Sequence, residues 1–496
     1  MSASPRRPRA GARGDEPARL TDGDRILSRV ACDEIFARVS AMAQGGGGTT
    51  ISISRWWQGE LRWARNRVSL ASDRRDNTVV VGRTIENGTG GVVETNQLDD
   101  VSLEAAVRAA ERISGMGSEM GRGVGFYPKL PEYERPPGTI WSDATYVPAT
   151  EARGAVARSL IEPAAAKGML SAGYLEMRAA SAATLNNSFP ELRSGEHAFW
   201  EEPYISWTQA HCSMTVRDPR GTGSGWAGLS SFDWNVIDGL ALGARALEKC
   251  LASQNPVALE PGRYTVILES SAVADFMEML VPSFSNREAP ESGAASPWLL
   301  GGDDATRLVR SKLGLKVADE RITISHDTAD PALGIVADQV EQHGLVKFID
   351  RGVLTNLGHW QQTDLTELRG QHHLRGATGY RMSGGGTSMD EMIRTTRRGL
   401  LVNRFSNIRL LDEVSVLSTG LTRDGLWLIE NGKITKAVKN FRFTESPLFM
   451  LNSIEQLGVP APVFRPTRRE GAELTPAIVP PLKVRDFSFT STIDAI

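Results

Sequence analysis

Cysteine is scarce in this sequence. Cys32, Cys212 and Cys250 are the whole set, odd in number and widely spaced, with no Cys-x-x-Cys pair. That pattern excludes a zinc knuckle or a redox dithiol and fits reduced, buried thiols in a reducing, cytoplasmic compartment. Long apolar runs are absent too. No uninterrupted stretch approaches the roughly 18–20 residues that cross a bilayer, so no membrane partner is expected. Neither sign of charge dominates: Lys plus Arg number 56, Asp plus Glu 59, and the net charge is −3. A balance that near neutral leaves no whole-chain footprint for nucleic acid. Short-period repeats are missing, which excludes solenoids and propellers. Histidine is sparse, with seven in all and none between His211 and His326.

What is present is ordinary for a soluble chain: 496 residues, 41% hydrophobic and 23% charged, enough for two or more domains. Residues 1–20 carry Arg6, Arg7, Arg9, Arg13 and Arg19 against Asp15 and Glu16. No apolar stretch follows Arg6-Arg7, so this segment reads as a disordered basic tail and not as a twin-arginine signal. Asn255 to Gly262, with Pro256 and Pro261, reads as a linker. The expected division is therefore a tail (1–20), an N-terminal domain (21–255) and a C-terminal domain (256–496).

Hydrophobic spacing predicts a helix over 24–42, through Ile26, Leu27, Val30, Ile35, Phe36 and Val39. Trp57, Gly59, Leu61 and Trp63 alternate as in a strand with one buried face. Their arginine-rich surroundings are the kind that stack on single-stranded nucleic acid, but a core or partner contact is favoured. Asn87-Gly88 between β-branched runs predicts a hairpin, as does Asn431-Gly432. Ser102 is expected to cap the following helix. Further helices are expected over 150–167 and 238–252, and strands over 173–178, 183–187, 207–217 and 264–268. Residues 272–280 read as amphipathic, with Phe276, Met277 and Leu280 together. Ser388 and Glu391 form a capping box for a helix stopping near Gly399.

Several segments together carry a likeness. They are Tyr264–Glu269, Gly384-Gly-Gly-Thr-Ser388 with Met389–Ile393, Thr419–Asp424, Leu428–Ile434 and Asn440-Phe-Arg-Phe-Thr-Glu-Ser-Pro447, with Asn96–Asp99 and Asn187-Ser188 earlier. In this order and spacing the chain resembles the TldD/PmbA family, also called TldD/TldE or modulator of DNA gyrase. The resemblance implies an α/β (α+β) fold: an N-terminal α/β domain followed by a C-terminal domain of twisted, mostly antiparallel β-sheet with a few helices. It also implies a metallopeptidase complex in which a catalytic subunit pairs with a related subunit lacking the metal motif. The two enclose a chamber where unfolded peptides are cut.

In the catalytic branch a His-Glu-x-x-x-His helix follows the strand matching Tyr264–Leu268. Two histidines one turn apart share a helix face, and the glutamate takes a proton from metal-bound water. Here the stretch from Glu269 to Phe284 contains no histidine, and no cysteine follows Cys250. The resemblance therefore implies the TldE/PmbA-type subunit, with no catalytic or metal residue of its own and zinc held by a TldD-like partner. Its expected partners are that subunit and an unfolded peptide substrate, with a homodimer left open.

The alternative site is His372-His373 with His359, a weak metal set because neighbours in a strand point to opposite faces. This would be a metallopeptidase active on its own. A second alternative is a regulator that binds DNA gyrase directly. Gly384, Gly385, Gly386, His372 and His373 are the substrate-cleft candidates. His211-Cys212 and Gly301-Gly-Asp-Asp304 are read as structural, the latter as a surface turn. Gly221-Thr-Gly-Ser-Gly225 nearly matches a nucleophile elbow but has the wrong spacing.

Overall fold

The computed structural model describes residues 26–44, 47–84, 90–116, 139–146, 148–186, 200–201, 204–286, 289–290, 293–303, 308–327, 330, 332–333, 345–358, 379–463 and 476–493. Strands dominate, and the architecture is the α/β class expected, with mostly antiparallel sheets. One eight-stranded sheet has the spatial order β3 (Gly90–Thr95), β2 (Arg67–Thr84), β1 (Gly48–Ala64), β5 (Leu170–Asn186), β7 (Ile205–Arg217), β4 (Thr139–Ile140). Beside β5 lies β6 (Trp200–Glu201), and beside β7 lies β8 (Ser224–Ser231).

The chain forms two compact units, each assembled from separated segments. The first comprises 1–57, 74–126 and 179–205; the second comprises 58–73, 127–178 and 206–496. The expected linear boundary at 255/256 falls inside the second unit.

In the first unit, helices α1 (Arg29–Met42) and α2 (Asp100–Met116) bury Cys32, Ile35, Val39, Leu103, Val107 and Ala110 with Ile51, Val79 and Val81. Asp99, and not Ser102, caps α2: its Oδ1 accepts from the Ser102 amide at 2.9 Å. An aspartate one position before the first turn reaches the free N–H groups that Ser102, already inside the helix, cannot. Strands β2 and β3 pair antiparallel from Val79↔Thr95 to Thr84↔Gly90, flanking the expected hairpin turn. Asn87-Gly88 itself lies outside the described residues.

In the second unit, α4 (Thr150–Ala166) packs on α5 (Gly239–Ala252), after the short helix α3 (Asp143–Tyr146). Asp238 caps α5 through the Ala241 amide at 2.9 Å. A seven-stranded sheet of the unit closes on itself. Strand β16 (Arg398–Asp412) pairs with β9 (Gly262–Leu268), then β23 (Leu482–Thr492), β19 (Phe441–Glu445) and β17 (Leu417–Glu430), which pairs back to β16. Only β9–β16 is parallel within that ring. Strand β18 (Lys433–Ala437) continues from β17. Asn431 and Gly432 have φ of 50° and 78°, the two left-handed residues that a tight hairpin needs. A separate six-stranded sheet has the order β14 (Val353–Leu354), β13 (Leu345–Asp350), β12 (Ile324–Asp327), β15 (Tyr380–Met382), β22 (Ala477–Val479), β21 (Ala461–Val463).

Three further expectations need correction. The two strands over 173–178 and 183–187 are one strand, β5. The helix capped by Ser388 ends at Arg394, well before Gly399; Thr395 and Thr396 turn their hydroxyls onto Glu391 and Met392 carbonyls and close the last turn. The segment Gly301–Asp303 is not a turn but part of β10 (Leu299–Asp303), paired with β11 (Leu308–Ser311).

Candidate functional site

The segment that would hold a metal in the resembled catalytic branch is well defined. Strand β9 runs between β16 and β23, and helix α6 (Ser270–Met277) follows at once. Ala272, Val273, Ala274, Phe276 and Met277 are buried. Phe276 meets Phe405, Phe443 and Phe487 edge-on, with ring centroids 5.9, 5.4 and 5.9 Å away. Such contacts add to the area these rings bury and fix the helix in the core of the unit.

Zinc needs three or more His, Cys, Asp or Glu donors converging at about 2 Å. Along α6 the only such residue is Asp275, and its Oδ2 accepts from the Phe405 amide at 3.0 Å. Among the described residues no group of three such donors converges. The residues at this position therefore do not fit the metal. His359, His372 and His373 lie outside the described residues.

What stands at the start of α6 is an ion-pair network. Glu269 is the N-cap residue, and its Oε2 takes Lys249 Nζ of α5 at 2.7 Å. The same ammonium donates to Asn403 Oδ1 at 2.6 Å. Asn403 Nδ2 donates to the Asp424 carbonyl at 2.6 Å, and Asp424 Oδ1 accepts from Ser224 Oγ at 2.6 Å. Burial pushes the Lys249 ammonium below its ordinary pKa, and Glu269 opposes that push. This chain of contacts ties α5, α6, β16, β17 and β8 together.

Asp424 also borders a cavity of about 310 Å³, lined among others by Thr222, Ser224, Asn255, Lys439 and Asn440. Asp424 and Asn255 hold φ of 55° and 53° there, conformations that cost a non-glycine residue energy. The glycines of the near-elbow have a packing reason. A Cβ on Gly225 would lie 2.2 Å from the Ala246 carbonyl and 2.3 Å from the Cys250 nitrogen. Gly223 would meet the Cys250 carbonyl at 2.6 Å. Glycine there lets β8 lie against α5, and Ser224 serves the network above.

A second polar group lies on the strands of the same unit. Gln58 Nε2 donates to Glu176 Oε2 at 2.8 Å, and Arg178 Nε contacts Glu176 Oε1 at 2.7 Å. Glu60 pairs with Arg62. Burial raises the Glu176 pKa, countered by Arg178 and reinforced by Glu60. His211 shares a hydrogen bond with Ser230 Oγ at 3.0 Å and is pushed down to about 3 by burial, with Arg178 adding to it. His326 donates to the Gly379 carbonyl at 2.9 Å and is also lowered by burial. Burial favours the neutral form of both imidazoles. Trp57 and Trp63 are buried at 2%, the core side of the expected alternation. Sequence reasoning missed Glu60 and Glu176. The signal was there: Glu-x-Arg occurs at 60–62 and at 176–178, which sets acid and base on one strand face.

The cleft glycines divide. A Cβ on Gly384 would meet Pro460 at 2.4 Å, and one on Gly385 would meet the Leu457 carbonyl at 2.5 Å. Gly386 faces open space. Ser388 Oγ accepts from the Glu391 amide at 3.2 Å, the serine half of the expected capping box, while the Glu391 carboxylate takes Arg394 at 2.8 and 2.6 Å.

Residues 261–491 match the family described as PmbA/TldA metallopeptidase C-terminal domain. No curated protein matches the sequence. Among solved structures, a candidate modulator of a DNA gyrase from Thermotoga maritima is similar at TM-score 0.69 and 17% identity, over 92% of this chain and 100% of that one. TldE from Thermococcus kodakarensis is similar at 0.69 and 15%, over 93% and 100%. A candidate modulator of DNA gyrase from Bacteroides thetaiotaomicron is similar at 0.68 and 16%, over 92% and 98%. No helix among the described residues is long and apolar enough to cross a membrane. Residues 261–491 thus carry the C-terminal domain of the PmbA/TldA metallopeptidase family, and the chain as a whole has the fold of these structures.

Proposed function

We propose that this chain is the non-catalytic subunit of a TldD/TldE-like zinc metalloprotease complex, acting in cytoplasmic proteolysis or maturation of unfolded peptides. The observation that supports this most is the sequence of α6. Where a zinc helix needs two histidines one turn apart and a glutamate, this chain has Ser270-Ser-Ala-Val-Ala-Asp-Phe-Met277. An ammonium–carboxylate pair, Lys249 with Glu269, stands at its N-terminus. Zinc then belongs to a TldD-like catalytic partner. This chain completes the chamber and holds the peptide, with Gly384 to Gly386 as contact candidates and backbone hydrogen bonds as the sequence-tolerant grip.

The test is zinc content and cleavage of an unstructured peptide, for the chain alone and co-purified with its TldD-like partner. Zinc and cleavage only in the pair are expected. Stoichiometric zinc and turnover by the chain alone would overturn the proposal, and their loss in His372→Ala or His373→Ala would locate the site.

A further inference from the structure

The cavity that Asp424 borders lies wholly within the second unit. Its walls are the turn 221–224 before β8, residues 253–256 at the end of α5, and residues 424–426 and 438–440 of the closed sheet, with Ile493. Hydrogen bonds fix each wall. Gly221 donates to the Asp218 carbonyl at 2.8 Å, and Asp218 to the Gly223 carbonyl at 3.0 Å. Val257 donates to the Ala437 carbonyl at 2.9 Å, and the Lys439 amide donates to the Val257 carbonyl at 3.0 Å. The Ile493 amide donates to the Asn440 carbonyl at 2.7 Å. At about 310 Å³ the cavity falls at the small end of the roughly 300–1,000 Å³ typical of small-molecule sites.

A local irregularity aims Asp424 at this space. Val402 pairs with Leu426 and Arg404 with Arg423, which leaves Asn403 opposite both Asp424 and Gly425. That is a β-bulge, a device that re-aims a side chain. Asp424 and Gly425 have φ of 55° and 130°, and Asn403 Nδ2 holds the bulge through the Asp424 carbonyl. The Asp424 side chain is only 2% exposed. Its Oδ1 takes Ser224 Oγ at 2.6 Å, so the carboxylate lies along the wall it shares with Ser224. Among the described residues its Oδ2 accepts no hydrogen bond. Arg404 Nη1 and Arg423 Nε stand 3.8 and 3.7 Å from it, close enough for Coulomb attraction and too far to hydrogen-bond. A buried carboxylate oxygen without a donor is costly. A second strained residue, Asn255, borders the same cavity, and strained backbone gathers at ligand clamps.

We propose that this cavity binds a small zwitterion, a free α-amino acid or dipeptide with an apolar side chain. The ligand ammonium donates to Asp424 Oδ2. The ligand carboxylate meets Lys439, and its side chain lies against Pro256, Leu426, Val438 and Ile493 of the lining. Oδ2 calls for a donor, which an ammonium is and a carboxylate is not. The lining holds one acidic and one basic residue, Asp424 and Lys439, so a ligand with both charges meets each with its opposite. The side chains of Arg404 and Arg423 reach solvent, which screens their repulsion of the ammonium. This binding stands without the catalytic reading above.

The test is a ligand-detected NMR titration of the full chain with L-leucine and with alanyl-leucine. N-acetyl-leucine, which lacks the ammonium, and leucinamide, which lacks the carboxylate, are the controls. A Kd of roughly 0.1–1 mM is expected for leucine or alanyl-leucine, with N-acetyl-leucine and leucinamide about tenfold weaker. The tighter of the two zwitterions tells amino acid from dipeptide. Asp424→Asn keeps an acceptor for Ser224 and tolerates positive φ, and it should weaken the zwitterion about tenfold. Lys439→Met should weaken leucine about tenfold and leave leucinamide unchanged. Absence of binding by both zwitterions up to about 10 mM overturns the proposal. So does N-acetyl-leucine binding as tightly as leucine, a comparison made on the unaltered chain that needs no variant to fold.

Discussion

Replacing Lys249 by methionine tests the network at the start of α6 most directly. Lys249 and Glu269 have side chains only 14% and 17% exposed. Methionine matches the length of the stem but removes the ammonium that Glu269 Oε2 and Asn403 Oδ1 both receive, at 2.7 and 2.6 Å. Removing one partner of a buried pair leaves an uncompensated charge and costs about 3–5 kcal/mol. Partial exposure of Glu269 argues for the lower end, about 3 kcal/mol, which in a unit of this size corresponds to a fall of roughly 4 °C in Tm. The double variant Lys249→Met/Glu269→Gln removes the orphaned charge and should recover more than half of that loss. Thermal unfolding followed by tryptophan emission is a suitable assay, because Trp427 Nε1 donates to the Ala252 carbonyl at the end of α5, at 3.0 Å. A fall of less than about 2 °C in the single variant, or no recovery in the double, would falsify the reasoning.

Gly225→Ala should cost about 1–3 kcal/mol, because its Cβ must displace the Ala246 carbonyl and the Cys250 amide, whereas Gly386→Ala, in open space, should be near neutral; thermal melts of both compare the two sites. His211 gives a pH signature. Its folded pKa lies near 3 against an ordinary 6.5, so the unfolded chain binds the extra proton between those values. Stability from the neutral ring is full above pH 6.5 and is lost as pH falls toward 3, by up to about 5 kcal/mol. His211→Asn should flatten that slope in denaturant titrations at pH 7 and pH 5; an unchanged slope would show that His211 protonates without cost. Asp99→Ala should remove the cap of α2 and cost about 1 kcal/mol, with Ser102→Ala costing less; equal losses would return the cap to Ser102.

Local signals in the sequence determined the elements that depend on near neighbours. Asp238 begins α5, Asn431-Gly432 turns the hairpin between β17 and β18, Ser388 caps its helix, and Trp63 faces the core, each through residues within a few positions. The run of segments after Tyr264 also carried the family, because order and spacing survive where single residues do not. Arg65-Asn66 was harder to read. It turns a hairpin with φ above zero at both residues but lacks the glycine that usually marks one, and Asn66 is held there by Met169 and Ser171, about a hundred positions away.

The network around α6 was decided only by tertiary structure. Ser224 and Asp424 are 200 positions apart, and Lys249 and Asn403 are 154 apart. Nothing in either residue's surroundings along the chain names its partner, since a buried charge can be satisfied by any suitable group that the fold delivers. The closed ring of β9, β16, β17, β19 and β23 and the interleaved composition of the two units have the same cause. Strand pairing is a contest among all strands of the chain, settled by burial and backbone hydrogen bonds together, and periodicity reveals a strand without revealing its neighbour.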